Sequence, residues 1–392
     1  MNNFANRIYS INPSASMSVN QKAKDLINSG IDIINLSIGQ PDFNTPLHVK
    51  NAAINAINEN HTGYISSKGI SNLLSSIEKK YKNHSFNQLT KNNIIVTPGV
   101  KQALFYLNLC LINPGDEAII FEPYWVTYLD SLLLCGGKPI NISGKEENYF
   151  KPDISDIKSK ITDKTKYFLF SNPCNPSGAV WNKDELNEIY FLAKKHNLYI
   201  ISDEIYDSII FDNLKYTSIG SLEEKINKVI TLNGYSKSYS MPGFRIGYII
   251  ANETLITQTI KLQETIATCV SSISQFAASN AYDDELFLLN NKIIYEQRRD
   301  LLVDGINSIK GLSCVKPKGS FYVFINIKDL RMDSIKASED MLVNAKVAVV
   351  PGIAYGNNFD SYVRASFATS EKKINKAIEN LLKYYGKKEL HI

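Results

Sequence analysis

The sequence predicts an α/β protein with a mainly parallel sheet flanked by helices, followed by a smaller α+β unit. Through the middle of the chain, short runs rich in β-branched and aromatic residues alternate with longer amphipathic stretches. Several of these runs are continuously apolar, as strands covered on both faces require. From about Asp284 the order becomes a long helical segment, a short strand, another helix and a final strand, the order of a separate unit.

The runs, in chain order, are Asn93–Thr97, Glu117–Phe121, Lys166–Phe170, Leu198–Ser202 and Lys228–Leu232. In such sheets the ligand crevice lies beyond the carboxyl ends of the strands, so the residues after each run are the candidates for chemistry. Beyond Asp284, the helical segment carries Glu296-Gln297-Arg298-Arg299-Asp300, Phe321–Ile325 reads as a short strand and Val347–Val350 as the final one.

Composition narrows the function classes. A chain of 392 residues with 44% hydrophobic content can bury a large core. Its 43 basic residues nearly balance 39 acidic ones and form no long run, which argues against a binder of nucleic acid or of an anionic membrane. The start, Met1-Asn2-Asn3-Phe4, leads into polar Asn12-Pro13-Ser14 without a secretory apolar stretch, and no segment approaches the roughly 18 apolar residues of a membrane span. A cytoplasmic protein is expected. Cys110, Cys135, Cys174, Cys269 and Cys314 are scattered and odd in number, suggesting reduced thiols. His48, His61, His84, His196 and His391 lack metal-ligand spacing, and no Gly-x-Gly-x-x-Gly turn marks a nicotinamide site.

After Thr97 comes Pro98-Gly99-Val100-Lys101-Gln102-Ala103, a glycine turn opening a helix. Free N–H groups at a helix amino terminus bind phosphate, although such turns are also commonplace, and Lys101 equally fits a solvated helix position. Trp125, in Glu122-Pro123-Tyr124-Trp125, suits a planar cofactor or an aromatic core cluster. Asn175, between Pro173 and Pro176, is an inward-aimed amide or an ordinary turn residue. Asp203 directly follows an apolar run; so close to the interior, it needs a partner such as a protonated pyridine nitrogen, unless it caps a helix. Lys237 lies among small hydroxyl and aromatic residues in Gly234-Tyr235-Ser236-Lys237-Ser238-Tyr239. Desolvation lowers a lysine pKa, as condensation with an aldehyde requires. Arg245, among Gly243, Phe244, Ile246 and Gly247, suits a phosphate dianion.

Together these residues form an ordered set on successive strand ends. The set resembles the pyridoxal phosphate (PLP)-dependent aminotransferases of class I, fold type I, in their bacterial aspartate aminotransferase-like subgroup. The resemblance runs from Asn12-Pro13-Ser14-Ala15-Ser16 through Ser37-Ile38-Gly39-Gln40-Pro41-Asp42-Phe43 and Gly63-Tyr64 to Val363-Arg364-Ala365-Ser366.

The resemblance implies a role for each residue. Lys237 would hold PLP covalently and move the proton at the substrate α-carbon. Asp203 would keep the ring nitrogen protonated, Asn175 and Tyr206 would bond the phenolic oxygen, and Trp125 would stack on the ring. The backbone of Gly99, Val100 and Lys101, with Ser236 and Arg245, would hold the phosphate, Tyr64 reaching in from the second subunit of a homodimer with shared active sites. Arg364, helped by Gly39, would clamp the substrate α-carboxylate beside Trp125 and Asn175, and Lys101 would face a distal carboxylate. The implied reaction is a ping-pong transfer from aspartate, or another acidic or aromatic donor, to a 2-oxo acid such as 2-oxoglutarate, within amino-acid biosynthesis.

The chain departs from the family pattern at Gly234, where many relatives carry serine, at Pro242-Gly243-Phe244-Arg245 in place of Thr-Gly-Trp-Arg, and near Cys269–Ser272, where a common proline is missing. A PLP-dependent lyase or cyclising synthase on the same fold and a non-catalytic PLP-binding protein are the alternatives; the presence of Lys237, Asp203 and Arg364 argues against the last. By resemblance, residues 46–285 form the large PLP-binding domain, while 1–45 and 286–392 form the arm and small domain, whose closure brings in Arg364.

Overall fold

Strands without a polar face can be buried only in a sheet covered on both sides. In the computed structural model, which describes residues 4–11, 15–82, 86, 88–282 and 284–387, the apolar runs build a seven-stranded sheet. Its spatial order is Ile94–Thr97, Gly247–Ile250, Val229–Gly234, Tyr199–Asp203, Thr165–Ser171, Glu117–Glu122, Lys138–Ser143. Gly247–Ile250 is antiparallel to both neighbours, and the other strands share one direction. All five expected runs are present, differing only at their ends. The edge strand Lys138–Ser143 is only partly buried and has no comparable apolar run to betray it.

Alternate residues along each strand feed opposite faces. Tyr167, Leu169 and Ile201 pack on one side, and Phe168, Phe170 and Ile200 on the other. The first of these clusters extends into Val323, Ile325, Val363 and Ile378, so the carboxyl-terminal elements share a core with the large sheet.

Asp284 caps the helix Glu285–Asn307, accepting from the Phe287 N–H at 3.0 Å. Beyond it, a four-stranded antiparallel sheet runs in the order Val350–Pro351, Tyr362–Ser366, Tyr322–Asn326, Ser313–Cys314. The single final strand expected over Val347–Val350 is divided in two. Val347–Ala348 pairs in parallel with Ile34–Asn35, whereas Val350–Pro351 pairs with Tyr362–Ser366, which is the true last strand. An unbroken valine-alanine run has no period that could reveal a change of partner at its centre. The pair at Ile34–Asn35 fastens the amino-terminal segment to the carboxyl-terminal unit. Arg298 holds the same segment through Asp42 at 2.8 Å, and buried Arg299 grips Asp212 with two 2.8 Å bonds.

Among the described residues no helix is long and apolar enough to cross a membrane, and the five cysteines are free thiols. Met1–Asn3, the Asn12-Pro13-Ser14 part of the family motif, His84 and His391 lie outside the described residues.

Candidate active site

The carboxyl ends of five strands open onto one cavity of about 350 Å³. Each supplies a candidate from its following turn: Val100 and Lys101 after Thr97, Trp125 after Glu122, Asn175 after Ser171, Asp203 itself, and Ser236 and Lys237 after Gly234. Gly39, Tyr206, Arg245 and Arg364 complete the expected part of the wall.

One end of the cavity is a helix amino terminus. Gly99, at φ 81°, precedes the helix Val100–Leu111, a backbone conformation that favours glycine. A Cβ there would also press into the Arg245 guanidinium, 3.0 Å from its Cζ. Glycine therefore lets Arg245 lie directly over the helix start, where its Nη1 donates to the Pro242 carbonyl at 3.0 Å. On the other side, a Cβ at Gly247 would stand 2.7 Å from the Val100 nitrogen. Gly234, paired with Gly247 across the strands, is similarly confined, since a Cβ would meet the Ile246 oxygen at 2.7 Å. The hydroxyl expected of relatives at 234 has no room in this backbone, while Ser236 remains in the cavity wall.

Deeper in, Asp203 is 2% exposed. One carboxylate oxygen accepts from the Tyr128 hydroxyl at 2.7 Å, the other from the Ile205 N–H at 3.2 Å. Burial pushes its pKa up to about 6, opposed by those two bonds and by Lys237. It is an interior anion rather than an exposed helix cap. Tyr206, its pKa raised well above the usual range by burial and by Tyr322, shares a 2.9 Å hydrogen bond with the Tyr322 hydroxyl. Trp125 stands edge-on to Tyr128 with ring centroids 5.8 Å apart.

Lys237 donates to the Gly39 carbonyl at 2.6 Å. Burial lowers its pKa to about 8, assisted by Arg364 and Arg245 and opposed by Asp203. Buried Arg364 reaches the cavity from the middle of the strand Tyr362–Ser366. Its guanidinium donates to the Asn175 side-chain oxygen at 3.1 Å and the Ser37 carbonyl at 2.7 Å, and lies 4.3 Å from the Tyr322 ring centroid. The nearest backbone support for Arg364 is thus Ser37, while Gly39 engages the lysine. Lys101 keeps solvent access yet borders the cavity, with Nζ 5.3 Å from the Trp125 ring; partial desolvation and Arg245 lower its pKa, and Asp130 opposes them.

A lysine of depressed pKa, a buried acid in the same wall and an arginine at each end form the arrangement on which comparison with known proteins bears. A family model described as aminotransferase class I and II matches residues 31–381. The chain belongs to that family. The aspartate aminotransferase of Bacillus subtilis is 36% identical over 98% of this chain and 99% of its own length. The aromatic-amino-acid aminotransferase 2 of Thermococcus litoralis is also 36% identical, over 98% and 99%. Among solved structures, the aspartate aminotransferase from Thermus thermophilus with maleate superposes with a TM-score of 0.93 at 34% identity, covering 98% of this chain and all of that one. The protein is therefore a PLP-dependent aminotransferase of fold type I.

The cavity of this aminotransferase fits PLP on its own terms. Glycine at 99 keeps a side chain off the helix start beside Arg245, a buried carboxylate waits for a cation, and the Nε of Arg364 has no hydrogen-bond partner among the described residues. Gly99 stands just behind the wall, next to Val100, and Tyr64 is clear of it, 90% exposed on the surface. The sequence reading missed Tyr128, Tyr322 and Tyr355, all in the wall. Tyr128 falls one helical turn after Trp125, a signal that was available. Tyr322 and Tyr355 come from the carboxyl-terminal unit, and nothing local in the sequence points them at the sheet.

Proposed function

We propose that this aminotransferase takes its amino group from aspartate, or from another acidic or aromatic amino acid, and passes it to a 2-oxo acid such as 2-oxoglutarate by a ping-pong route. The observation that carries this reading is the presence of two cations, Arg364 and Lys101, in the wall of one cavity, suited to the two carboxylates of a dicarboxylic substrate. The relatives named for aspartate and the maleate in the Thermus structure favour it; the relative named for aromatic amino acids keeps aromatic donors within the substrate range.

PLP supplies a ring that draws electron density from the substrate α-carbon and carries the amino group between half-reactions. The protein's part is binding, orientation and proton transfer. Val100 and Lys101 N–H groups, Gly99, Ser236 and Arg245 would hold the phosphate. Asp203 would balance the charge on the ring nitrogen, Trp125 would pack on the ring, and Asn175 and Tyr206 would hydrogen-bond its phenolic oxygen. Arg364, with Gly39 nearby, binds the α-carboxylate, Asn175 fixes its guanidinium, and Lys101 takes the distal carboxylate. Lys237, its pKa lowered to about 8 by burial, gives up its proton far more readily than an ordinary lysine and would move a proton at the α-carbon.

The working unit is taken to be a cytoplasmic homodimer with shared sites. Its support is an exposed apolar face of Leu47, Ile54 and Ile57 on the helix Leu47–Asn58, not far in sequence from exposed Tyr64. The division into a large domain over 46–285 and a small domain from 1–45 and 286–392 follows Leu47 and Glu285 as helix starts.

Absorbance tests the whole reading. Purified protein with PLP should develop a visible band that aspartate abolishes and 2-oxoglutarate restores. Release of ammonia without need of an acceptor would point to a lyase; no band at all would remove Lys237 from its role.

A further inference from the structure

Tyr322 belongs to none of the roles assigned above, yet it touches three of the groups that carry them. It begins the strand Tyr322–Asn326 and is 2% exposed. Its hydroxyl is 2.9 Å from that of Tyr206, its ring supports the Arg364 guanidinium at 4.3 Å, and its hydroxyl closes on Gly39 so tightly that no Cβ fits there. Tyr206 comes from the turn after the strand Tyr199–Asp203 of the large sheet and Tyr322 from the four-stranded sheet, so the contact spans the two units.

We propose that Tyr322 is a positioning residue that acts through Tyr206: by donating to the Tyr206 oxygen it leaves the Tyr206 proton free to point into the cavity, at the phenolic oxygen of PLP. The inference rests on the reading of this cavity as the PLP site. A tyrosine hydroxyl has one proton to give. Without a donor behind it, the Tyr206 hydroxyl can turn; with Tyr322 donating, the only direction left for its proton is forward. A hydrogen bond aimed at an oxygen that carries negative charge favours the ionised form of the group bearing it. The same ring, by lying under Arg364, ties the carboxylate clamp to the cofactor contact. Packing against Arg364 needs the ring; the proposal needs the hydroxyl.

Tyr322→Phe separates the two. The holoenzyme is titrated spectrophotometrically without substrate, and the pH midpoint of the visible band is read for the native protein, Tyr322→Phe, Tyr206→Phe and the double variant. Tyr322→Phe is expected to raise the midpoint by about half a unit, the scale of one net hydrogen bond. The double variant should match Tyr206→Phe alone, because Tyr322 has nothing to act through once Tyr206 lacks its hydroxyl. Binding of maleate as a competitor should change less than about threefold in Tyr322→Phe and at least tenfold in Tyr322→Ala, where the support of Arg364 goes as well. A midpoint unmoved in Tyr322→Phe, or shifts of the two single variants that simply add, overturns the proposal while leaving the cofactor site intact. A native protein that forms no band with PLP overturns the functional reading and the proposal together.

Discussion

Asp203→Asn separates what this cavity does for the fold from what it does for the reaction. Burial lifts the Asp203 pKa from 3.8 to about 6, so in the folded, PLP-free protein the ionised form is disfavoured relative to the unfolded chain. Because the folded value is the higher one, the stabilising contribution is complete below pH 3.8 and is lost as pH rises through 6. The shift is about 2 units, or about 3 kcal/mol at 1.36 kcal/mol per unit. Asparagine has nearly the same shape, keeps an acceptor for Tyr128 and cannot ionise. It forfeits the bond from the Ile205 N–H; because that bond's preference for the carboxylate is already contained in the value of about 6, the slope rather than the offset is the readout. Urea unfolding of PLP-free protein should show the stability of Asp203→Asn relative to native improving by about 2 kcal/mol between pH 4.5 and 7.5. The same variant, with PLP bound, should lose at least about a hundredfold in turnover, as expected when a preorganised charge opposite a developing one is removed. A stability difference that stays flat across this pH range would refute the claim that the folded protein bears Asp203 as a costly anion.

Gly99→Ala forces a side chain into a backbone at φ 81° and against Arg245; it should weaken PLP binding at least tenfold by equilibrium titration and lower stability by about 1 kcal/mol. Lys101→Leu should raise KM for aspartate by about tenfold or more, the scale of one charged contact, while leaving KM for an aromatic donor within about twofold; equal losses for both donors would remove Lys101 from the specificity argument. Arg364→Lys keeps the charge but cannot hold Asn175, Ser37 and a carboxylate at once, so steady-state kinetics should show KM rising for donor and acceptor alike, by roughly tenfold or more.

What could be read from the sequence follows from where information is local. Asp203, Lys237 and the turn at Gly99 each sit within a few residues of an unbroken apolar run, and in a parallel sheet that adjacency translates directly into position at the crevice. The antiparallel insertion of Gly247–Ile250 was not legible, because an apolar strand carries no mark of its direction. Val347–Val350 failed for a related reason: its residues are equally apolar in both sheets they join. Tyr322 is 116 positions from Tyr206 in sequence, and only the packing of two units makes them neighbours. Gly234 was legible as a departure but not as a necessity; the close approach of Ile246 and Gly247 supplies the reason.

Charge explains why these particular residues tolerate one another. Lys237, Arg364, Arg245 and Lys101 border the same cavity as one buried carboxylate, Asp203. Arg364 and Arg245 both lower the Lys237 pKa, and Arg245 lowers that of Lys101, so the cations disfavour one another's charge in the folded chain. Such an excess is eased by an anionic occupant, and an amino-acid donor on PLP brings a phosphate at one end and carboxylates at the other. With those anions in place the part of the Lys237 depression that the arginines cause weakens, while Arg245 and Arg364, bonded to neutral oxygens of Pro242, Asn175 and Ser37, gain anionic partners. The site is thus least comfortable when empty, and that discomfort is a source of binding energy for cofactor and substrate. The same reasoning assigns Asp203 its place: as the one carboxylate in the cavity wall, it is matched by a cationic ring nitrogen.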